Sequence, residues 1–433
     1  MIDPSVHRGL EMQRPEEYQR TQQELLTAHL RYAAERSPYY AGLFREQGID
    51  PAAVTLATLS SLPLTEKAVF SGRNDDFLAA PQSAVVDIVL SSGTTGSPVK
   101  VMYTEADLRR LAYNEEISLA ACGITNGDTA LLTCTMDRCF IAGLAYYSGL
   151  RALGAAVVRN GLSSPASHLE VIRRLRPTVL VGVPSFLVKL GEFLRAAGLD
   201  PRSCGVRKLV CIGEPVRDRD FAPLKMGDRL DELWGAAYYS TYASSETISS
   251  FCECSSRQGG HLHPELAVVE IVDEDGRVLP TGSIGEVVVT PLAIEGMPLV
   301  RFRTGDVSFL IDGPCSCGRR SPRLGPIVGR KKQMIKFRGT TLYPAAIYSV
   351  LDGMAEVSDY YVTVSSDFDL SDQLRISVAF RNGAGTADAV QERLQARLRV
   401  RPAVEVVSEK DVRERIAPEG ARKINRFIDV RKP

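Results

Sequence analysis

The sequence predicts an α/β fold. A large N-terminal domain of parallel and mixed sheets with flanking helices and a β-rich subdomain should precede a small α+β C-terminal domain. Three observations carry this expectation. Between residues 108 and 212, apolar runs alternate with amphipathic segments, the pattern of a parallel sheet covered by helices. From Ala267 the pattern changes to short apolar runs separated by Asp-Gly and Thr-Gly turns, as in antiparallel hairpins. Beyond Gly329 lie roughly 100 residues of mixed character, the size of one small domain. A chain of 433 residues exceeds a single hydrophobic core. The expected domains are residues 1–329 and 330–433.

Taken in order, residues 16–36 form an amphipathic stretch with Leu25, Leu26, Leu30 and Ala33 on one side. Ser37-Pro38-Tyr39-Tyr40 should stop that helix. Leu62 to Lys67 reads as a loop entering a second helix, with Thr65 as its N-cap. Residues 85–90 are an apolar run that reads as a buried strand. Residues 108–121, 142–153, 169–175 and 186–197 read as helices. Residues 129–135, 155–159, 178–183 and 206–212 read as the strands between them. Residues 268–272 and 285–289 read as hairpin strands.

Composition narrows the function classes. Fifty-two basic residues balance fifty-two acidic ones, so nothing points to nucleic acid or an anionic membrane as a partner. No apolar run reaches the ~20 residues of a membrane span. The first twenty residues are polar, unlike a signal peptide, so a cytoplasmic protein is expected. Nine cysteines, an odd number, suggest thiols or metal ligands rather than a disulfide framework.

The chemistry begins after residue 90, where Ser91-Ser92-Gly93-Thr94-Thr95-Gly96-Ser97-Pro98-Val99-Lys100 follows the strand. Glycines let backbone approach an anion, and the hydroxyls and N–H groups can turn inward onto phosphate. A flexible Ser/Gly connector has the same composition. The spacing is not that of a P-loop. Tyr242-Ala243-Ser244-Ser245-Glu246-Thr247 offers a carboxylate able to hold Mg²⁺. Gly213-Glu214-Pro215 follows a strand and so lies where parallel sheets bind ligands. The carboxylate of Arg303-Thr304-Gly305-Asp306 can serve a vicinal diol through both oxygens. Each of these alone is also an ordinary turn.

Together, and in this order, the segments resemble the adenylate-forming superfamily of acyl-CoA synthetases, adenylation domains and luciferases. The resemblance runs from about Glu16 to Asp429. It implies that Ser91, Ser92, Gly93, Thr94, Thr95 and Gly96 bind phosphate, although Ser97 stands where the family usually has lysine. It implies that Gly213, Glu214 and Pro215 flank adenine, that Tyr242 and Ser245 contact the nucleotide, and that Glu246 binds Mg²⁺. By the same resemblance Asp306 holds the ribose, and Arg330 approaches ribose and phosphate. Lys332 is the hinge of a mobile C-terminal domain, and Lys423 contacts the carboxylate and α-phosphate. Thr94, Glu246 and Lys423 are thus the expected catalytic residues.

The N-terminal text from Glu24 to Thr65 and Phe140-Ile141-Ala142-Gly143-Leu144 resemble phenylacetate-CoA ligases in particular. So does the pattern Cys252-Glu253-Cys254, His261, Cys315-Ser316-Cys317. Four thiolate or imidazole ligands would close a structural zinc site. The expected set is Cys254, His261, Cys315 and Cys317, with Cys252 able to replace Cys254 and His263 a weaker ligand; free thiols are the alternative. The acyl pocket implied by the family involves Asp137, Arg138, Phe140, Ala142, Gly143, Tyr146 and Tyr238. The polar pair Asp137–Arg138 reads either as a partner for an amino- or hydroxy-substituted acid or as solvent-facing.

The implied reaction joins a small carboxylic acid, aryl or arylacetic, to ATP, giving an acyl-adenylate and pyrophosphate, and then transfers the acyl group to coenzyme A. Transfer to an acyl-carrier protein is the alternative within enzymes, and a catalytically impaired nucleotide-binding protein the alternative outside them. A homodimer is compatible with this reading.

Overall fold

The computed structural model describes residues 3–91, 99–337, 340–366, 372–417 and 425–431. It divides into two compact units, Met1–Pro326 and Ile327–Pro433.

The first unit opens with α1 (Pro15–Arg36) and α2 (Pro38–Glu46). Ser37 does end α1, but Pro38 sits at the first position of the next helix, where its missing N–H costs nothing. Tyr39, Tyr40, Phe44, Phe70, Phe77 and Phe302 pack there as an aromatic group, Tyr39 stacking on Phe77 at 4.1 Å between centroids. Helix α3 (Lys67–Gly72) begins one residue later than expected, with Glu66 at the N-cap position. Thr65 is not its cap. The Thr65 backbone bridges to Phe302, and its hydroxyl lies 2.8 Å from the Tyr40 hydroxyl and donates to the Val300 carbonyl at 2.6 Å.

Strand β1 (Val85–Leu90) forms where expected but is not buried. It pairs antiparallel with β2 (Lys100–Thr104) and leaves Val86, Ile88 and Leu90 about half exposed. Its apolar run belongs to a separate hairpin, not to the parallel sheet. Thr104 then caps α4 (Glu105–Ala121), receiving the Asp107 N–H while the Asp107 carboxylate takes the Thr104 N–H, a reciprocal capping box.

The parallel sheet follows through β3 (Thr129–Leu132), α5 (Ala142–Leu153), β4 (Ala156–Arg159), α6 (Pro165–Leu175), β5 (Val179–Gly182), α7 (Pro184–Ala196), β6 (Lys208–Ile212), α8 (Lys225–Trp234), β7 (Ala237–Ser244) and β8 (Ser249–Cys252). Strand order is β4-β3-β5-β6-β7-β8, parallel throughout except β8, which returns antiparallel to β7. Gly154 ends α5 with φ 88° and Gly235 ends α8 with φ 58°, left-handed positions that favour glycine. Alternation sends side chains to two cores. Leu131, Leu180, Leu209 and Tyr238 pack with α7 and α8 on one face; Ala130, Leu132, Val181, Val210 and Tyr239 pack with α4 and α5 on the other.

The β-rich part holds β9 (Gly260–His261) and an antiparallel run of β10 (Ala267–Val272), β11 (Gly285–Pro291) and β12 (Phe302–Ser308). The second unit is built on a four-stranded sheet ordered Ala403–Val406, Asp372–Phe380, Val357–Ser366, Phe427–Asp429. Its central pair is antiparallel and its outer strands run parallel to their neighbours. Ile347, Leu351, Val362, Val378, Val390 and Leu394 fill its core. Among the described residues, no helix is long and apolar enough to cross a membrane.

Candidate active site

The carboxyl end of β7 carries Tyr242, and the turn beyond it carries Ser245 and Glu246. Tyr242 stacks on Phe251 of β8 and donates its hydroxyl to Asp306 Oδ2 at 3.0 Å. Two positions expected to touch the nucleotide are thus joined directly. Burial, with the Asp306 charge beside it, keeps the Tyr242 phenol protonated well above the ordinary tyrosine range. Asp306 is fixed from its own strand as well, its N–H donating to the Thr304 hydroxyl at 3.1 Å. Ser245 turns its carbonyl to the Tyr103 hydroxyl at 2.9 Å, which anchors the turn to β2.

Glu246 is 7 % exposed. Its Oε1 receives Lys67 Nζ at 2.7 Å and its Oε2 receives the Ser244 hydroxyl at 3.1 Å. Burial pushes the carboxyl up, but Lys67 and Ser244 outweigh burial and hold it below the usual carboxylate range. Lys67 was not among the residues singled out from sequence. It reaches the site because the two residues just before α3 are tied to the chain at the start of β12. Thr65 N–H donates to the Arg301 carbonyl at 2.9 Å, and Arg303 pairs with Glu66 at 2.9 Å. Both oxygens are engaged by these donors, and the group is ionised, the form in which a carboxylate can serve as an oxygen ligand to Mg²⁺.

Gly213 has φ 73°, so a side chain would be strained at that turn after β6. The Glu214 carboxylate is committed to the start of α7, accepting from the Ser185 N–H at 2.9 Å and hydroxyl at 2.8 Å. What this turn offers a base is therefore chiefly main chain, with Gly213 and Pro215 exposed. Ser91 and Val99 close the mouth of the Ser/Gly loop, Ser91 N–H donating to the Val99 carbonyl at 2.9 Å. Ser92, Gly93, Thr94, Thr95 and Gly96 of that loop lie outside the described residues, as does Lys423. In the second unit, Arg330 and Lys332 are exposed. The Lys332 and Met334 carbonyls accept from Arg431 at 3.0 and 2.7 Å, and Arg431 also pairs with Asp372 at 3.0 Å. One C-terminal arginine thus ties the expected hinge segment to the sheet of its own unit.

The expected acyl positions are split by the central sheet. Tyr146, Ala142 and Gly143 lie on the α5 face, where a side chain at position 143 would strike the Thr135 carbonyl and Met136. Tyr238 goes to the α8 face, under the Arg217 guanidinium at 4.5 Å. Tyr146, on α5, and Tyr238, on β7, are therefore not brought together, because α5 covers one face of the sheet and Tyr238 points to the other. Asp137 and Arg138 have side chains 77 % and 56 % exposed and face each other at 3.9 Å. They are solvent-facing. Phe140 is also exposed.

Cys254, His261, Cys315 and Cys317 converge, their ligand atoms all within 4.8 Å of one another. Cys254 Sγ lies 3.6 Å from Cys315 Sγ, and Cys317 Sγ lies 3.4 Å from His261 Nε2. Edges of a zinc tetrahedron with these ligands measure roughly 3.5 to 3.8 Å, so the donor set fits a structural Zn²⁺. Burial, then Arg319 and Arg323, push His261 down to about 3, which keeps the imidazole neutral for ligation. Burial works to raise the Cys315 thiol, but the Cys317 N–H, the Ser256 hydroxyl and the neighbouring thiols bring it to about 7. The Ser256 N–H donates to Cys254 Sγ at 3.4 Å and Ser321 Oγ lies 3.3 Å from His261 Nδ1, the outer contacts such a site needs. Cys252 is instead 3.1 Å from Cys122, away from this set, and His263 faces Ser118 at 3.0 Å.

Residues 38–292 match the family model of AMP-binding enzymes and residues 339–431 that of the AMP-binding enzyme C-terminal domain. The chain is 34 % identical over 349 residues to the phenylacetate-coenzyme A ligase of Thermus thermophilus, covering 79 % of this chain and 77 % of that one. This chain belongs to the adenylate-forming, AMP-binding enzyme family. Within the family, its likeness to the phenylacetate-coenzyme A ligase of Pseudomonas putida is 29 % over 356 residues, covering 78 % of this chain and 76 % of the other. The adenylate-forming fold is shared with 2-hydroxyisobutyryl-CoA ligase in complex with an acyl-adenylate, at TM-score 0.82 and 23 % identity, covering 96 % of this chain and 90 % of that one. The same ligase with its adenylate and CoA matches at TM-score 0.68 and 25 % identity, with the same coverage.

Proposed function

We propose that this chain is an AMP-forming acid–CoA ligase acting on an aryl or arylacetic acid. An acid oxygen attacks the α-phosphorus of ATP and pyrophosphate leaves; the thiolate of coenzyme A then attacks the acyl carbonyl and AMP leaves. The substrate supplies the nucleophile in both steps, so the protein's part is positioning and charge stabilisation. The observation that supports this reading most directly is the contact between Tyr242 and Asp306, 64 positions apart in the chain. It ties together Asp306, read here as the ribose carboxylate, and Tyr242, read here as contacting the nucleotide.

In this reading Asp306 receives the ribose hydroxyls and Gly213 to Pro215 flank the base through main chain. Ser91, Ser92, Gly93, Thr94, Thr95 and Gly96 surround the phosphates, Ser245 and Thr94 present hydroxyls to the α-phosphate, and Arg330 approaches ribose and phosphate. Glu246 would hold Mg²⁺, which supplies charge neutralisation on the phosphates. Lys67 keeps Glu246 ionised. Lys423 orients the attacking carboxylate, and residues 330–433 act as a lid turning at Lys332. Cys254, His261, Cys315 and Cys317 would hold zinc in a structural role. The cytoplasm is the proposed setting.

Pyrophosphate release over a panel of aryl and aliphatic acids, with and without coenzyme A, tests the proposal. Acid-dependent release with thioester formed on coenzyme A is the expected result. Release without that thioester would move the acceptor to a carrier-protein phosphopantetheine. No release with any acid would favour a nucleotide-binding protein without catalysis.

A further inference from the structure

Two buried side chains beside Tyr146 each keep a polar atom without a hydrogen bond of good geometry. Glu115 of α4 is 2 % exposed and its Oε2 is unpartnered; Thr241 of β7 is 8 % exposed and its Oγ1 closes no hydrogen bond of good geometry, the Tyr146 hydroxyl being the group it faces. Buried polar atoms in this state are uncommon and call for a reason. Both groups flank the Tyr146 phenol. Cys134, Ser250 and Cys252 complete the surroundings of Glu115. Room for the glutamate is built into the neighbouring helix, since any side chain at Gly149 of α5 would run into Glu115 Cβ and its backbone.

The location fits a substrate rather than a random packing defect. Thr241 pairs with Ile212, the last residue of β6, and Cys134 lies just past β3. Both are at the carboxyl ends of parallel strands, where α/β sheets receive ligands. The cluster is on the α5 face that also carries Ala142 and Gly143, whereas Asp137 and Arg138 point to solvent.

We propose that Glu115 and Thr241 recognise a hydrogen-bonding substituent of the acyl substrate, so that the acid activated is an aryl or arylacetic acid bearing an amino or hydroxyl group. The proposal rests on the ligase reading above and adds the polarity of the acid to it. A ring N–H or O–H would donate to Glu115 Oε2, and the Thr241 hydroxyl would accept or donate as the substituent requires. An unsubstituted ring would leave Glu115 Oε2 unpaired and Thr241 with only the Tyr146 phenol, the situation that lets a site discriminate against an analogue lacking one polar group. Burial pushes the Glu115 carboxyl up to about 7, so near neutral pH it is shared between the carboxylate, which accepts from an N–H or O–H, and the acid, which can also donate.

The test measures kcat/KM by pyrophosphate release for benzoate and phenylacetate against their hydroxy- and amino-substituted forms. The expected result is a preference for a substituted acid on the order of ten-fold or more. The preference should shrink in Glu115→Leu and in Thr241→Val, and less in Glu115→Gln, which keeps an acceptor oxygen. Unsubstituted acids used as well as every substituted one would overturn the proposal without any variant being needed. So would a preference that survives both Glu115→Leu and Thr241→Val, which would leave the two atoms to a bound water. Failure of every acid would instead defeat the ligase reading, a distinct outcome.

Discussion

The Tyr242 hydroxyl donates to Asp306 Oδ2 at 3.0 Å, linking the end of the parallel sheet to the antiparallel strand β12. Tyr242→Phe keeps the ring stacked on Phe251 and removes that donor. The loss of one hydrogen bond to a charged group should weaken ATP binding by roughly 1 to 2 kcal/mol, about five- to thirty-fold in KM for ATP. The KM for the acid should change much less. Steady-state pyrophosphate release checks this; equal effects on both substrates would contradict the assignment.

Lys67 sets the ionisation of Glu246. A carboxylate held below its unfolded value contributes stability that is present above that value and lost as the pH falls through the folded one. Lys67→Met removes the cation and leaves the burial, which raises the Glu246 carboxyl. The acid limb of both thermal stability and Mg²⁺-dependent pyrophosphate release should therefore move to higher pH, by roughly one unit or more. A pH profile identical to the parent's would show that Lys67 does not govern Glu246.

The Cys254–His261–Cys315–Cys317 cluster should carry about one zinc per chain. Cys317→Ser should lower bound zinc, measured by elemental analysis, and reduce the melting temperature by on the order of 5 °C. Cys139→Ser, at an exposed thiol outside the cluster, should leave the zinc content unchanged. Protein purified without chelator and holding no metal would refute the site.

Lys423→Ala should abolish adenylation and retain thioester formation from preformed acyl-adenylate, since the lysine acts on the attacking carboxylate and α-phosphate. Rapid-quench assays of the two half-reactions separate these. Equal loss of both would assign Lys423 a general structural role.

The sequence made the α/β alternation readable because strands and helices in such sheets differ in apolar period, and most elements from α4 to β7 form within a few residues of their expected bounds. It misled where burial depends on partners. Val86, Ile88 and Leu90 read as core, yet their hairpin has one face open. The grouping of Cys254, His261, Cys315 and Cys317 was anticipated through the resemblance to phenylacetate-CoA ligases, since C-x-C spacing alone is weakly specific. Lys67 was not, because a lone lysine at a helix start looks solvated until the contacts of Thr65 and Glu66 with β12 carry it to Glu246. Glu115 was hidden for a related reason. An acid inside an amphipathic helix reads as surface, and only the missing side chain at Gly149, thirty-four positions later, makes room for it.

The most direct test of the central claim is product analysis by mass spectrometry after incubation with ATP, Mg²⁺, coenzyme A and a substituted aryl acid. The account predicts AMP, pyrophosphate and the aryl-CoA thioester in equal amounts, each dependent on the acid. Formation of ADP and phosphate, or no acid-dependent consumption of ATP with any aryl acid, would contradict it.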